Sequence, residues 1–140
     1  AFVEPGAPLL VESPTYLGAL QAFNLFEPAY RALPTDDDGL VPEAIDATLA
    51  RDARLIYVMP NFQNPTGRSL SATRRASLAQ AARTHGLWLV EDDPYGELWY
   101  RQAPPPSLRA YAPRAHDPRV FIFQGAGARP AAGLRDRAAR

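Results

Sequence analysis

Residues 55–92 read LIYVMPNFQNPTGRSLSATRRASLAQAARTHGLWLVED, and this stretch decides the fold. It opens on an apolar run (55–58), turns at Asn64-Pro65-Thr66-Gly67, continues in a helical pattern, and ends on a second apolar run (87–90). The runs are nearly continuous rather than alternating, as strands covered on both faces of a parallel sheet must be. Between them Ser71 is placed as an N-cap and Gly86 as the stop, while Ala72, Ala76, Ala79 and Ala82 form a stripe of small residues beside Arg74, Arg75 and Arg83.

Outward from this unit, residues 9–11 and 120–123 give two further apolar runs expected as strands. Val41, Ile45 and Leu49 recur every four residues after the acidic turn Asp36-Asp37-Asp38-Gly39, with Pro42 where its missing N–H costs little, so a helix is expected there. A shorter helix is expected over 16–24, and the proline-rich stretch 101–118 reads as a surface connection. Strands alternating with helices argue for an α/β fold of three layers around a mostly parallel sheet.

A 46% hydrophobic, 21% charged composition is that of an ordinary globular domain rather than a disordered chain. Zero formal net charge gives no electrostatic footprint for nucleic acid or an anionic membrane surface. No apolar run approaches the ~20 residues of a membrane span, and the cytoplasm is the expected compartment. Without cysteine, and with only His85 and His116 as imidazoles, neither a disulfide framework nor a metal site is expected. The chain starts at Ala1 and enters almost at once into an apolar run, as a piece of a longer protein would. All 15 basic residues are arginine; lysine is missing entirely.

In such sheets ligands bind beyond the carboxyl ends of the strands. Asn64, Asp92 and the segment from Gln124 all follow expected strands and so converge on one edge. A carboxylate such as Asp92 favours the protonated form of a pyridine nitrogen held against it. Tyr95 offers a hydroxyl, and Asn64 an amide, to a phenolic oxygen on the same ring. That combination points to pyridoxal phosphate. Asp93 reads as a solvent or capping carboxylate, His85 as a cation at a helix C-terminus, and His116 as an exposed loop residue. Gly125-x-Gly127 is no dinucleotide fingerprint, because its third glycine would fall at Pro130.

Pro60-Asn61-Phe62-Gln63-Asn64-Pro65-Thr66-Gly67, followed by Val90-Glu91-Asp92-Asp93-Pro94-Tyr95-Gly96-Glu97-Leu98, resembles the fold-type I, class I/II pyridoxal phosphate aminotransferases. The aminoadipate and kynurenine aminotransferase subgroup is the nearest, and Glu12-Ser13-Pro14-Thr15-Tyr16-Leu17-Gly18 is similar to it as well. The resemblance implies that residues 1–123 form part of the cofactor-binding large domain. It also implies that Tyr16 lies against the cofactor ring, Asn64 binds its phenolic oxygen, and Asp92 and Tyr95 take the roles given above. A homodimer acting on an amino acid and a 2-oxo acid is expected of the full-length family member.

The likeness breaks after residue 123. The family places there a Ser-x-Ser-Lys segment, whose lysine forms the Schiff base, and a Gly-Leu-Arg whose arginine reaches the cofactor phosphate. Aligning on Gly133-Leu134-Arg135 puts Ala128 at the lysine position and Arg135 at the phosphate, whereas aligning on Gly125 puts Arg129 at the lysine position. Neither residue is a usable amine nucleophile. The Ala/Gly/Arg-rich tail, 124–140, reads as frameshifted or disordered. The expected function is that of an aminotransferase fragment, inactive by itself. The alternatives are the aminotransferase-like effector domain of a GntR-type transcription regulator and a non-functional remnant.

Overall fold

The computed structural model describes residues 3–112 and 120–123 of the chain. The readings placed on Ala128, Arg129, Arg135, His116 and the rest of the 124–140 tail lie outside the described residues. In chain order the elements are β1 (Pro8–Glu12), α1 (Leu17–Phe23), β2 (Ala29–Leu33), β3 (Thr35–Asp36), β4 (Gly39–Leu40), α2 (Ala47–Ala50), β5 (Leu55–Val58), α3 (Ala72–Thr84), β6 (Trp88–Asp92) and β7 (Val120–Phe123).

Five strands form one sheet in the order β2-β1-β5-β6-β7, every pair parallel, and β3 and β4 make a separate antiparallel ladder. The chain leaves β1 toward β2 on one side and later places β5 on the other. The strand order therefore reverses between β1 and β5, where an open α/β sheet forms its ligand crevice. Side chains alternate across the sheet with period two. Leu9, Val11, Leu55, Tyr57 and Val90 share one face, against Ala19, Leu20 and Phe23 of α1. Leu10, Ile56, Val58 and Leu89 share the other, with Leu78 and Ala82 of α3. The result is the expected three-layer α/β arrangement.

The ends of α3 follow from their sequence. The Ser71 hydroxyl accepts the Arg74 N–H at 3.2 Å as N-cap. At the other end the Leu87 N–H reaches the Ala82 carbonyl (2.8 Å) and the Gly86 N–H reaches that of Arg83 (3.2 Å). This is a Schellman closure, with Gly86 at the left-handed position (φ +67°) that it requires. Leu87 consequently belongs to the helix end, and β6 runs Trp88–Asp92 instead of 87–90. The buried face of α3 is Arg75, Leu78, Ala79 and Ala82, so the expected stripe is corrected at Ala72 and Ala76, which are exposed.

Two further expectations change. The helix read through Val41, Ile45 and Leu49 is a 3-10 turn, Pro42–Ala44, followed by the four-residue α2. Asp46 interrupts it: its carboxylate accepts the Leu49 N–H at 2.7 Å and caps a new start. β2 carries no apolar run, because it is an edge strand in which Leu33 alone is buried. Among the described residues no helix is long and apolar enough to cross a membrane.

Candidate functional site

Tyr16 follows β1, Asn64 follows β5, and Asp92 closes β6 with Tyr95 just beyond it. β1, β5 and β6 are neighbours in the sheet, so all four residues occupy the carboxyl edge beside the point where strand order reverses. Asp92 has the parity of Val90 and Trp88 and lies on the α1 side of the sheet. There the Tyr57 hydroxyl donates to its carboxylate at 2.5 Å. Tyr57 is 3% exposed, and its ring meets that of Phe23 edge-on, centroids 5.4 Å apart. Burial first, and then the Asp92 carboxylate, push the Tyr57 hydroxyl far up, so it stays protonated and keeps donating.

The pair borders a cavity of about 620 Å³ between α1 and the sheet. Ala19, Phe23, Leu55, Trp88 and Val90 wall it with apolar surface, and Asp92 is the one acidic group among its described lining residues. Tyr95 packs, half-buried, against the same apolar cluster. Tyr16 is 39% exposed just before α1. Its ring folds over Gly18 so closely that a Cβ there would stand 2.5 Å from the phenol and the ring would have to shift.

Asn64 sits in a turn closed by its own chain. Within it the Gln63 N–H reaches the Arg68 carbonyl (2.8 Å), the Gly67 N–H the Gln63 carbonyl (2.5 Å), and the Leu70 N–H the Pro60 carbonyl (2.9 Å). The Gln63 side chain accepts from the Thr66 N–H (3.0 Å) and hydroxyl (2.6 Å) while donating to the Pro14 carbonyl at 2.8 Å. That last bond ties the Asn64 turn to the segment that presents Tyr16. Glu12, at the end of β1, reinforces the link by accepting the Met59 N–H at 2.9 Å. Burial pushes the Glu12 carboxyl up to about 7, although hydrogen bonds from Met59 and Gln63 pull it part of the way back.

Asp93, read as a solvent or capping carboxylate, is partly exposed, and its carboxylate accepts the Asn61 side-chain N–H at 2.9 Å. Arg75, expected beside an apolar stripe, is instead fully buried. Tyr57, Gln63, Glu12, Asn61 and Arg75 thus support the site without having been read from the sequence as part of it. Strand parity was the available signal for Tyr57. In adjacent parallel strands, Tyr57 opposite Val90 brings it onto the face of Asp92.

The family model for aminotransferases of class I and II matches residues 1–135. The aromatic-amino-acid aminotransferase 1 of Thermococcus litoralis is 37% identical over 79% of this chain and 28% of its own length. The alpha-aminoadipate aminotransferase LysN of Thermus thermophilus, solved with N-(5'-phosphopyridoxyl)-L-leucine, superposes with a TM-score of 0.79 at 38% identity. That match covers 88% of this chain and 32% of the solved one. The HTH-type transcriptional regulator YisV of Bacillus subtilis is 34% identical over 73% of this chain and 21% of its own. The chain therefore spans about a third or less of the length of these relatives.

Proposed function

The chain belongs to the class I and II aminotransferases, and from that premise we propose that it is a piece of a pyridoxal-phosphate-dependent enzyme moving an amino group between an amino acid and a 2-oxo acid. The observation that carries the reading is the Tyr57–Asp92 pair at the carboxyl end of β6, beside an apolar cavity. A carboxylate, two phenols and an amide along the edge of three adjacent strands are the groups that would serve this cofactor's basic nitrogen and phenolic oxygen, although of the four only Asp92 lines the cavity.

In this reading Asp92 holds the proton on the ring nitrogen and Tyr57 orients Asp92. Asn64 and Tyr95 bind the phenolic oxygen, Tyr16 covers a face of the ring, and Arg135 is the phosphate ligand. When bound, the cofactor supplies the electron sink for amino transfer. These 140 residues contain no side-chain amine, so we read this chain by itself as holding the ring without a lysine tether and as not completing the transfer. The intact parent is read as a cytoplasmic homodimer, without nucleic-acid or membrane partners.

Quenching of Trp88 fluorescence, from the cavity wall, measures the affinity for pyridoxal phosphate. Asp92→Ala is expected to weaken it by about 10- to 100-fold, as loss of a charge-assisted hydrogen bond does, and Asn64→Ala by about fivefold. Unchanged affinity in Asp92→Ala would sink the assignment.

The match to YisV favours a second reading, the effector domain of a GntR-type regulator. The coding sequence upstream of Ala1 decides between them. A winged-helix segment in frame selects the regulator, and an upstream sequence without one selects the enzyme.

A further inference from the structure

The Arg75 guanidinium, 0% exposed on α3, donates to the carbonyls of Leu70 (3.0 Å), Pro106 (3.1 Å) and Pro60 (3.0 Å) and to the Asn61 side-chain oxygen (2.6 Å). The other end of the Asn61 amide donates to Asp93 at 2.9 Å. The amide is thus lodged between a buried cation and an anion, oxygen toward the first and N–H toward the second. No apolar residue could occupy that place, and aspartate would set two carboxylates face to face.

Asn61 lies three residues before Asn64, in the segment that leads into its turn, and Asp93 is joined directly to Asp92. We infer that Arg75, Asn61 and Asp93 form a positioning chain that fixes the spacing between the Asn64 turn and the Asp92 end of β6. For the cofactor this rests on the reading just proposed, in which both residues touch the same ring. Arg75 anchors the chain to α3, and through Pro60 and Leu70 it holds both ends of the loop that contains the turn. Asn61 is the joint. Asp93 is the terminus that carries the constraint into β6.

Gly96 supplies a second, independent observation. A Cβ there would stand 2.3–2.7 Å from the Asp93 carboxyl group. The Asp93 side chain therefore occupies the space over Gly96, and any larger residue would push it off Asn61. The glycine keeps the carboxylate where the amide can reach it.

Hydrogen exchange on the cofactor-free chain tests the coupling, because the N–H groups of Phe62, Gln63 and Gly67 are all hydrogen-bonded within the turn. Asp93→Ala and Gly96→Ala are each expected to speed exchange at these three amides by about tenfold, while the β5 amides keep their wild-type rates. Asp93→Asn retains an acceptor for Asn61 and should stay within about threefold of wild type. Unchanged exchange in Asp93→Ala and Gly96→Ala overturns the inference, as does equal acceleration in β5, which would signal general destabilisation. Asp93→Asn behaving like Asp93→Ala also overturns it. The cofactor reading fails separately: if exchange responds as stated but the unaltered chain does not bind pyridoxal phosphate, the positioning chain stands and the proposed ligand falls.

Discussion

Replacing Arg75 by leucine is expected to lower the stability of the chain by about 3–5 kcal/mol, the cost of removing the donor from several buried acceptors at once. Leucine restores some apolar contact but removes the donor from four acceptors, of which the Pro60 carbonyl keeps a second donor, the Leu70 N–H. The Glu91 carboxyl, which Arg75 attracts, is left in the same interior. A domain of this size has only about 5–15 kcal/mol in total, so the variant should show a large population of unfolded chain in mild urea. Arg75→Lys keeps the charge but not the planar fork, and should fall between the two. The midpoint of urea unfolding measures this; a leucine variant within about 1 kcal/mol of wild type would mean that the arginine is replaceable filling.

The second large effect is on pH dependence. Glu12 is 2% exposed and Glu91 0%, and burial is the leading cause that raises each carboxyl from 4.5 to about 7. Partial relief comes to Glu12 from the Met59 N–H and to Glu91 from the Leu108 N–H at 3.0 Å and from Arg75. Since the folded chain holds these protons more tightly than the unfolded chain, their contribution is fully present below about pH 4.5. It is lost as pH rises toward and through about 7. Each group accounts for on the order of 3 kcal/mol across that window. Urea midpoints should therefore fall steadily from pH 5 to pH 8, and the double variant Glu12→Gln, Glu91→Gln should flatten the profile. Stability that climbs over the same range in the wild-type chain would contradict the assignment.

Much of this molecule could be read from residues whose local and global roles agree. Continuous apolar runs at 55–58 and 120–123 became central and edge strands of a parallel sheet, and Ser71 and Gly86 bound α3 as their chemistry requires. The edge strand β2 was hidden because its alternation of small, aromatic and basic residues buries only Leu33. The 41–49 helix failed because the Asp46 side chain competes for a backbone N–H that a continuous helix would have used.

At the candidate site, the gathering of Asn64, Asp92 and Tyr95 at one sheet edge could be read because each follows an expected strand. Their supports could not, for a physical reason. A buried arginine contradicts the ordinary exposure of that residue type, and the acceptors that permit it are carbonyls of Pro60, Leu70 and Pro106, which every sequence possesses. The bond from Asn61 to Asp93 could not be read because nothing local distinguishes Asp93 from Asp92. Only the approach of Asn61 from a segment 32 residues earlier gives it a partner.

The role given to Asp92 is exerted on a ring nitrogen, and 15N NMR of the chain loaded with ring-labelled pyridoxal phosphate observes that atom. The predicted result is a nitrogen that stays protonated well above the pH at which it titrates in the free cofactor, and that reverts to free-cofactor behaviour in Asp92→Ala. A bound ring nitrogen that titrates as it does in free solution in the unaltered chain would contradict that role.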